Sequence, residues 1–140
     1  MGAAGRLRFI EITNTVEEHR GQLAAVDLVL DTFPYTGATT TMEALSFNTP
    51  VLTKVGQHYY GRMSYSLLKN CDLDNCIAFT VEDYIAQGIT LARNPEVLRT
   101  LKAQLQTSKF WSLCFEPPSK YAQLRARKSA GCCVDPIMKI

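Results

Sequence analysis

The residues best suited to chemistry form one short segment, Gly-Ala-Thr-Thr-Thr-Met-Glu, at positions 37–43. Thr39 and Thr40 fall where a turn would enter a helix, and their hydroxyls and free backbone N–H groups could bind a pyrophosphate there. Glu43 lies three and four residues further on, so it shares a helix face with both threonines. A carboxylate one turn into the helix can accept hydrogen bonds from both hydroxyls of a ribose. The same residues would also suit a threonine-capped helix with a solvated glutamate.

The elements around this segment predict a strand–loop–helix–strand unit. Residues 26–31 are mostly apolar, which is typical of a buried strand in a parallel sheet. Pro34 and Gly37 mark a tight turn, residues 39–47 include good helix formers, and residues 50–53 resume a strand. The helix would therefore begin at the carboxyl edge of the sheet, where α/β proteins bind their ligands.

The remaining pattern continues the alternation of strands and helices. Before the unit it predicts a strand at 6–12 and a Thr15-capped helix at 16–25 that carries His19. After the unit it predicts a loop at 56–61, a helix at 62–70, a short strand at 77–79 and a Thr80-capped helix to 93. The last of these elements is a helix from Pro95 with Val97, Leu98, Leu101 and Leu105 on its apolar side. This order predicts an α/β fold with a Rossmann-like parallel sheet and helices on both faces, in a domain at 1–125. Residues 126–140 lack periodicity and are predicted to form a loose tail. A complete doubly wound sheet has about five or six strands, so the chain is predicted to be the later part of such a domain.

Composition and charge exclude several classes of function. With 140 residues, 46% hydrophobic and 20% charged, the chain has the size and balance of one globular domain. A net charge of +2 predicts no nucleic-acid partner. No apolar run approaches the roughly 20 residues that span a bilayer, so no membrane partner is predicted. Five irregularly spaced cysteines and two histidines predict reduced thiols, no metal site and a cytoplasmic protein.

Three other polar residues have roles that the local pattern leaves open. Asp31 follows the first strand of the unit, where it could contact a ligand or stabilise the turn. Arg62 opens a helix after a glycine-bounded loop and, taken alone, is predicted to be an exposed arginine. His58 has no partner pattern and is predicted to be a surface histidine.

A family resemblance rests on two consecutive segments. Residues 30–45 read Leu-Asp-Thr-Phe-Pro-Tyr-Thr-Gly-Ala-Thr-Thr-Thr-Met-Glu-Ala-Leu, and residues 48–53 read Asn-Thr-Pro-Val-Leu-Thr. Together they resemble the SPINDLY/O-GlcNAc transferase family, and within it the bacterial tetratricopeptide-linked members. The likeness continues through residues 56–68, and Glu18-His19 falls at the family's spacing before its Leu-Asp-Thr. The resemblance covers about residues 10–110.

The resemblance implies a GT-B glycosyltransferase, in which two Rossmann-like halves enclose a nucleotide sugar. This chain is similar to the later part of the C-terminal, donor-binding half. Family members transfer N-acetylglucosamine from UDP-GlcNAc to Ser or Thr of proteins with inversion, and no metal or other cofactor is expected. The protein acceptor would be bound by an N-terminal half and by tetratricopeptide repeats that this sequence does not contain.

The same resemblance implies roles for six residues of this chain. Gly37 and Arg62 would support the donor pocket. The other four would contact UDP: Thr39 and Thr40 the diphosphate, Glu43 the ribose, and His19 the uracil.

Three residues depart from the family pattern. Ala38 stands where animal members have a histidine, Val16 where some members have a basic residue, and Gln22 where some have an arginine. No residue matches a base that could take the acceptor's proton, so the chain is predicted to be inactive or nearly so alone. Two alternatives stay open, a truncated and non-catalytic binding module, and a GT-B transferase that uses another nucleotide sugar.

Overall fold

The computed structural model describes residue 13 and residues 15–108 of the chain. In chain order the elements are α1 Val16–Ala25, β1 Val29–Leu30, α2 Thr39–Ser46, β2 Val51–Lys54, α3 Met63–Asn70, β3 Ile77–Ala78, α4 Val81–Arg93 and α5 Pro95–Thr107, with 3₁₀ turns at Tyr59–Gly61 and Asp74–Cys76. The predicted strand at 6–12 and the predicted tail at 126–140 lie outside the described residues. Within the part that is described, none of the helices is long and apolar enough to cross a membrane.

The three described strands form one parallel sheet in the order β1-β2-β3. β2 is the central strand, and its residues Val51, Leu52 and Thr53 are almost completely buried. The predicted α/β fold with a parallel sheet is therefore confirmed. Consecutive parallel strands joined through helices place all three carboxyl ends at the same edge of the sheet.

The prediction of a buried strand over residues 26–31 is wrong in its extent and its burial. Only Val29 and Leu30 form β1, and 58% of the Leu30 surface is exposed. An apolar run is compatible with a central or an edge strand, and β1 lies at the end of the described sheet. The central, buried position belongs to β2 instead.

The helices cover both faces of the sheet. Successive side chains along β2 point to opposite faces, so Leu52 and Thr53 face different layers. Leu52 packs against α4, where a Cβ added to Gly88 would lie 3.4 Å from the Leu52 Cδ2 atom. Thr53 points to the other face, α2 and α3 also contact β2, and α5 packs on α4.

The apolar stripe of α5 is only partly as predicted. Leu98, Leu101 and Leu105 are buried and belong to the main core. Val97, predicted on the same stripe, is 40% exposed. Residues 98, 101 and 105 follow the helical repeat, whereas position 97 is rotated about 100° from Leu98.

Two predicted N-caps are confirmed. The Thr15 side chain accepts a hydrogen bond from the Glu18 N–H (3.2 Å), and Thr80 accepts one from the Asp83 N–H (3.0 Å). Each bond satisfies a backbone donor that the first turn of a helix cannot satisfy itself. The Thr15 cap fixes the start of α1 and therefore the position of His19 along that helix.

Replacing Gly21 by Ala tests α1, because Gly21 lies inside this helix and an added Cβ would meet no heavy atom within 4 Å. Removing the glycine's backbone freedom from a helix interior should raise the free energy of unfolding by about 0.5–1 kcal/mol. Urea unfolding of G21A beside the parent chain measures this change. An unchanged or lower midpoint would contradict a helix at 16–25.

Candidate functional site

The first turn of α2 presents an open helix N-terminus at the carboxyl edge of the sheet. Thr39 and Thr40 are the first two helical residues, and both are exposed. The N-cap residue, Ala38, has no side chain that can accept a hydrogen bond from the helix, and no acidic residue lies in this turn. The structure therefore places Thr39 and Thr40 where the sequence predicted them. Their backbone N–H groups and the positive end of the helix dipole are directed to the same space.

The turn that leads into α2 is held by three side chains around Gly37. The Gly37 N–H donates to Asp31 Oδ1 (2.8 Å), and the Gly37 carbonyl accepts hydrogen bonds from Thr41 Oγ1 (3.1 Å) and Ser64 Oγ (2.6 Å). The two hydroxyl oxygens of Thr41 and Ser64 are 2.8 Å apart. Each hydroxyl has one proton, so two of these three contacts can be hydrogen bonds at the same time. Both polar groups of the Gly37 backbone are thus fixed by the protein interior.

Asp31 stabilises this turn rather than facing outward. Only 7% of its surface is exposed, and its second oxygen, Oδ2, accepts a hydrogen bond from Thr53 Oγ1 (2.7 Å). The Tyr84 hydroxyl donates to the Asp31 backbone carbonyl (2.9 Å). Burial, and secondly the negative charge of Asp31, raise the pKa of Tyr84, which keeps this donor protonated. Of the two roles left open for Asp31, the structure supports the turn-stabilising one.

A second loop, residues 55–62, packs backbone to backbone against the turn. Thr36 donates to the Tyr60 carbonyl through its N–H (3.0 Å) and through its hydroxyl (2.8 Å). A Cβ added to Gly61 would lie 3.0 Å from both Gly56 Cα and the Pro34 carbonyl oxygen. Glycine is therefore required at both positions, 56 and 61, because the backbones approach each other too closely there to leave room for a side chain.

Arg62 belongs to this supporting loop. Its Nη1 donates to the Gly56 carbonyl (3.3 Å), and its guanidinium lies 5.0 Å from the centre of the Tyr65 ring. These contacts connect the two ends of the loop, and the side chain is exposed, as the local pattern predicted. His58 is also exposed, and its ring stacks on Tyr60.

Packing of α1 on α2 brings His19 to Glu43. The His19 Nε2 atom lies 3.9 Å from Glu43 Oε2, and the Arg20 Nε atom lies 4.0 Å from Glu43 Oε1. The Glu43 side chain is 25% exposed, and Glu43 lies about one helical turn from Thr39 and Thr40. The four predicted UDP contacts therefore lie on two adjoining helices.

Several residues of this site were not predicted. Thr41, Ser64 and Thr53 anchor the turn, and Arg20 lies beside Glu43. Thr41 could have been predicted, because it falls with Ala44 and Leu45 on the buried side of the helical repeat. Among residues 13 and 15–108, no group of three or more His, Cys, Asp or Glu side chains could hold a metal ion.

Comparison with known proteins gives consistent matches. The family model described as glycosyl transferase family 41 matches residues 3–124. A probable UDP-N-acetylglucosamine–peptide N-acetylglucosaminyltransferase SPINDLY of Solanum lycopersicum is 35% identical over 89 residues, which cover 64% of this chain and 10% of that protein. The Hordeum vulgare SPINDLY protein, of the same description, is 30% identical over 101 residues, covering 72% of this chain and 11% of that protein.

Among solved structures, a mutant of the Thermobaculum terrenum O-GlcNAc transferase superposes with a TM-score of 0.69 at 30% identity. The match covers 79% of this chain and 21% of that one. With this match, the parallel sheet and its helices are assigned to a Rossmann-like part of a GT-B glycosyltransferase fold. The chain belongs to glycosyl transferase family 41. It spans about a tenth of the length of the curated relatives that it matches.

Replacing Gly37 by Ala tests the packing of the turn. An added Cβ would lie 2.8 Å from Thr41 Oγ1 and 3.3 Å from Asp31 Oδ1, so the buried hydrogen bonds must shift. We expect the free energy of unfolding to fall by about 1–3 kcal/mol, as for other overpacked sites. Urea unfolding measures it, with G21A as the matched glycine control. A G37A chain as stable as the parent would contradict the described turn.

Proposed function

We propose that this chain forms the donor-binding part of a protein O-GlcNAc transferase. In this proposal Thr39 and Thr40 hold the diphosphate of UDP-GlcNAc, Glu43 binds the ribose hydroxyls, and His19 lies against the uracil. The reaction transfers N-acetylglucosamine to Ser or Thr of an acceptor protein. Membership of family 41 supports this assignment, as does the similarity to SPINDLY proteins that are probable UDP-N-acetylglucosamine–peptide N-acetylglucosaminyltransferases.

The observation that carries the proposal is the open first turn of α2. Thr39 and Thr40 are exposed there, while the neighbouring Thr41 points into the core and is 2% exposed. When the glycosidic bond breaks, negative charge develops on the departing UDP. Prearranged N–H groups, hydroxyls and the helix dipole stabilise such charge without having to reorganise. The chain would therefore contribute stabilisation of the leaving group.

The carboxylate of Glu43 is available for a ribose. Its contacts with His19 and Arg20 are 3.9 and 4.0 Å long, which is beyond hydrogen-bond distance. Both carboxylate oxygens can therefore accept hydrogen bonds from the 2′- and 3′-hydroxyls of the nucleotide.

The other parts of the reaction are assigned to polypeptide outside this chain. Inverting transfer needs a base for the acceptor hydroxyl. His19 lies beside Glu43, at the end of the site given to ribose and uracil. We therefore assign the base and the acceptor-binding surface, including tetratricopeptide repeats, to a longer family protein. No metal or cofactor takes part in the proposed reaction.

A cytoplasmic location belongs to the same proposal. Neither of the cysteines in the described part, Cys71 and Cys76, forms a disulfide, and both are buried. Burial raises the pKa of the Cys76 thiol to about 11, so it remains protonated and unreactive near neutral pH. Buried thiols of this kind suit a reducing compartment.

UDP titration of the 140-residue chain tests donor binding. We expect UDP to raise the melting temperature, and both T40A and E43A to weaken binding. Each loses a hydrogen bond that involves a charged partner, worth about 1.5–3 kcal/mol, or roughly 10- to 100-fold in Kd. T40A should leave weak binding of uridine unchanged, whereas E43A should reduce it.

The matched control is T90A, which removes an exposed threonine hydroxyl on α4 that bonds only the Ala86 carbonyl. It should bind UDP as the parent does. A parent chain that shows no thermal shift or NMR change with UDP would contradict donor binding and favour a non-catalytic module. Tighter binding of another nucleoside diphosphate would favour a different donor.

Transfer assays test whether the isolated chain lacks part of the active site. The isolated chain, given radiolabelled UDP-GlcNAc and an acceptor protein, should label the acceptor no faster than a protein-free control, because it supplies no base. Robust incorporation would show that the chain contains a complete active site.

A further inference from the structure

Helix α1 is the least buried of the described helices. None of its ten residues, 16–25, all of which the structure describes, is buried. The matched comparison is α2, which has only eight residues but buries Thr41, Ala44 and Leu45. A helix of about ten residues is marginal in water, because most helices in proteins depend on the packing of an apolar face. The stability of α1 therefore depends on few contacts.

Among the described elements, the main contact of α1 is with α2. In the last turn of α1, the hydroxyl of the buried Thr49 donates to the Leu23 carbonyl (3.0 Å). One turn earlier, His19 and Arg20 lie 3.9 and 4.0 Å from the Glu43 carboxylate. Their side chains are 46% and 51% exposed, and exposed ion pairs of this length add little stability. The C-terminal end of α1 is therefore the more firmly attached one.

Gly21 adds flexibility in the middle of α1. It lies between the two residues that face Glu43 and the Leu23 attachment, and a glycine inside a helix is less favourable than alanine. An added Cβ would meet no heavy atom within 4 Å, so close packing does not require the glycine. Few buried contacts and an interior glycine are features of segments that open locally while the rest of a protein stays folded.

A nucleotide bound on α2 would extend as far as α1. In the proposed site the diphosphate lies at Thr39 and Thr40, and the ribose lies at Glu43, about one helical turn further along. His19 faces Glu43 from α1, so the base beyond the ribose would lie against α1. One ligand would then contact both helices, whereas a ligand that filled only the diphosphate end would contact α2 alone.

We propose that α1 is a closing segment of the nucleotide site. In the free chain it opens and re-forms while the sheet stays folded, and a nucleotide bound on α2 holds it closed through the base. The inference rests on the proposed nucleotide site and adds that the base is bound by a segment that becomes ordered on binding. Because ordering α1 opposes binding, the affinity for UDP is lower than that of the closed state alone.

NMR amide exchange in the 140-residue chain tests the proposal. The amides of residues 20–25 and 43–46 lie beyond the first turns of α1 and α2 and report on these helices. In the free chain the α1 amides should exchange at least about tenfold faster than the α2 amides, after correction for intrinsic rates. Saturating UDP should slow the α1 amides at least about tenfold. Saturating pyrophosphate should leave them within about twofold of the free chain, because it fills only the diphosphate end.

Three variants separate closing from binding. H19A removes the contact of α1 with the base, so UDP should no longer slow the α1 amides, while pyrophosphate should bind as it does to the parent chain. H58A is the matched control, because His58 is an exposed histidine on the loop at 55–62, and UDP should still slow the α1 amides of this variant. G21A favours the helical state and should slow α1 exchange in the free chain about two- to fivefold, with α2 unchanged.

Three results would overturn this proposal and leave the donor site standing. The first is a free chain whose α1 amides exchange as slowly as those of α2. The second is a UDP complex, detected by its thermal shift, in which α1 exchange is unchanged. The third is slowing of α1 by pyrophosphate as strong as that by UDP, because closing would then not need the base. The absence of any thermal shift with UDP would overturn the donor site itself, and this proposal with it.

Discussion

The carboxylate of Asp31 is the group on which the candidate site depends. One oxygen accepts from the Gly37 N–H and the other from the Thr53 hydroxyl, so a single side chain joins the end of β1, the central strand and the turn before α2. A buried carboxylate is stable only when its oxygens accept hydrogen bonds. The hydrogen bonds of this buried carboxylate therefore fix the N-terminus of α2, and with it the positions of the exposed Thr39 and Thr40.

The three consecutive threonines have different surroundings, and helical geometry explains why. Thr41 is buried against the turn, whereas Thr39 and Thr40 face outward at the start of the helix. The repeat of α2 was enough to predict this division. The approach of His19 to Glu43 could not be predicted from a helical repeat, because it depends on how α1 packs on α2. No local pattern contains that packing, and only the family resemblance pointed to it.

Much of the fold could be predicted from the sequence where local signals act alone. The caps at Thr15 and Thr80 and the bounds of the helices follow from residues within one turn. The burial of β1 could not be predicted, because an apolar run does not show whether a strand has one neighbour or two. The bond from Ser64 to Gly37 joins positions 27 residues apart, and such long-range contacts have no signature in local composition.

The turn before α2 is joined to the central strand, because Asp31 accepts hydrogen bonds from both the Gly37 N–H and the Thr53 hydroxyl. A ligand that bound only the ordered turn would therefore raise the free energy of unfolding of the sheet as well, since binding to the native state alone stabilises that state. The linkage is reciprocal, so a substitution that loosens β2 would weaken such a ligand without contacting it.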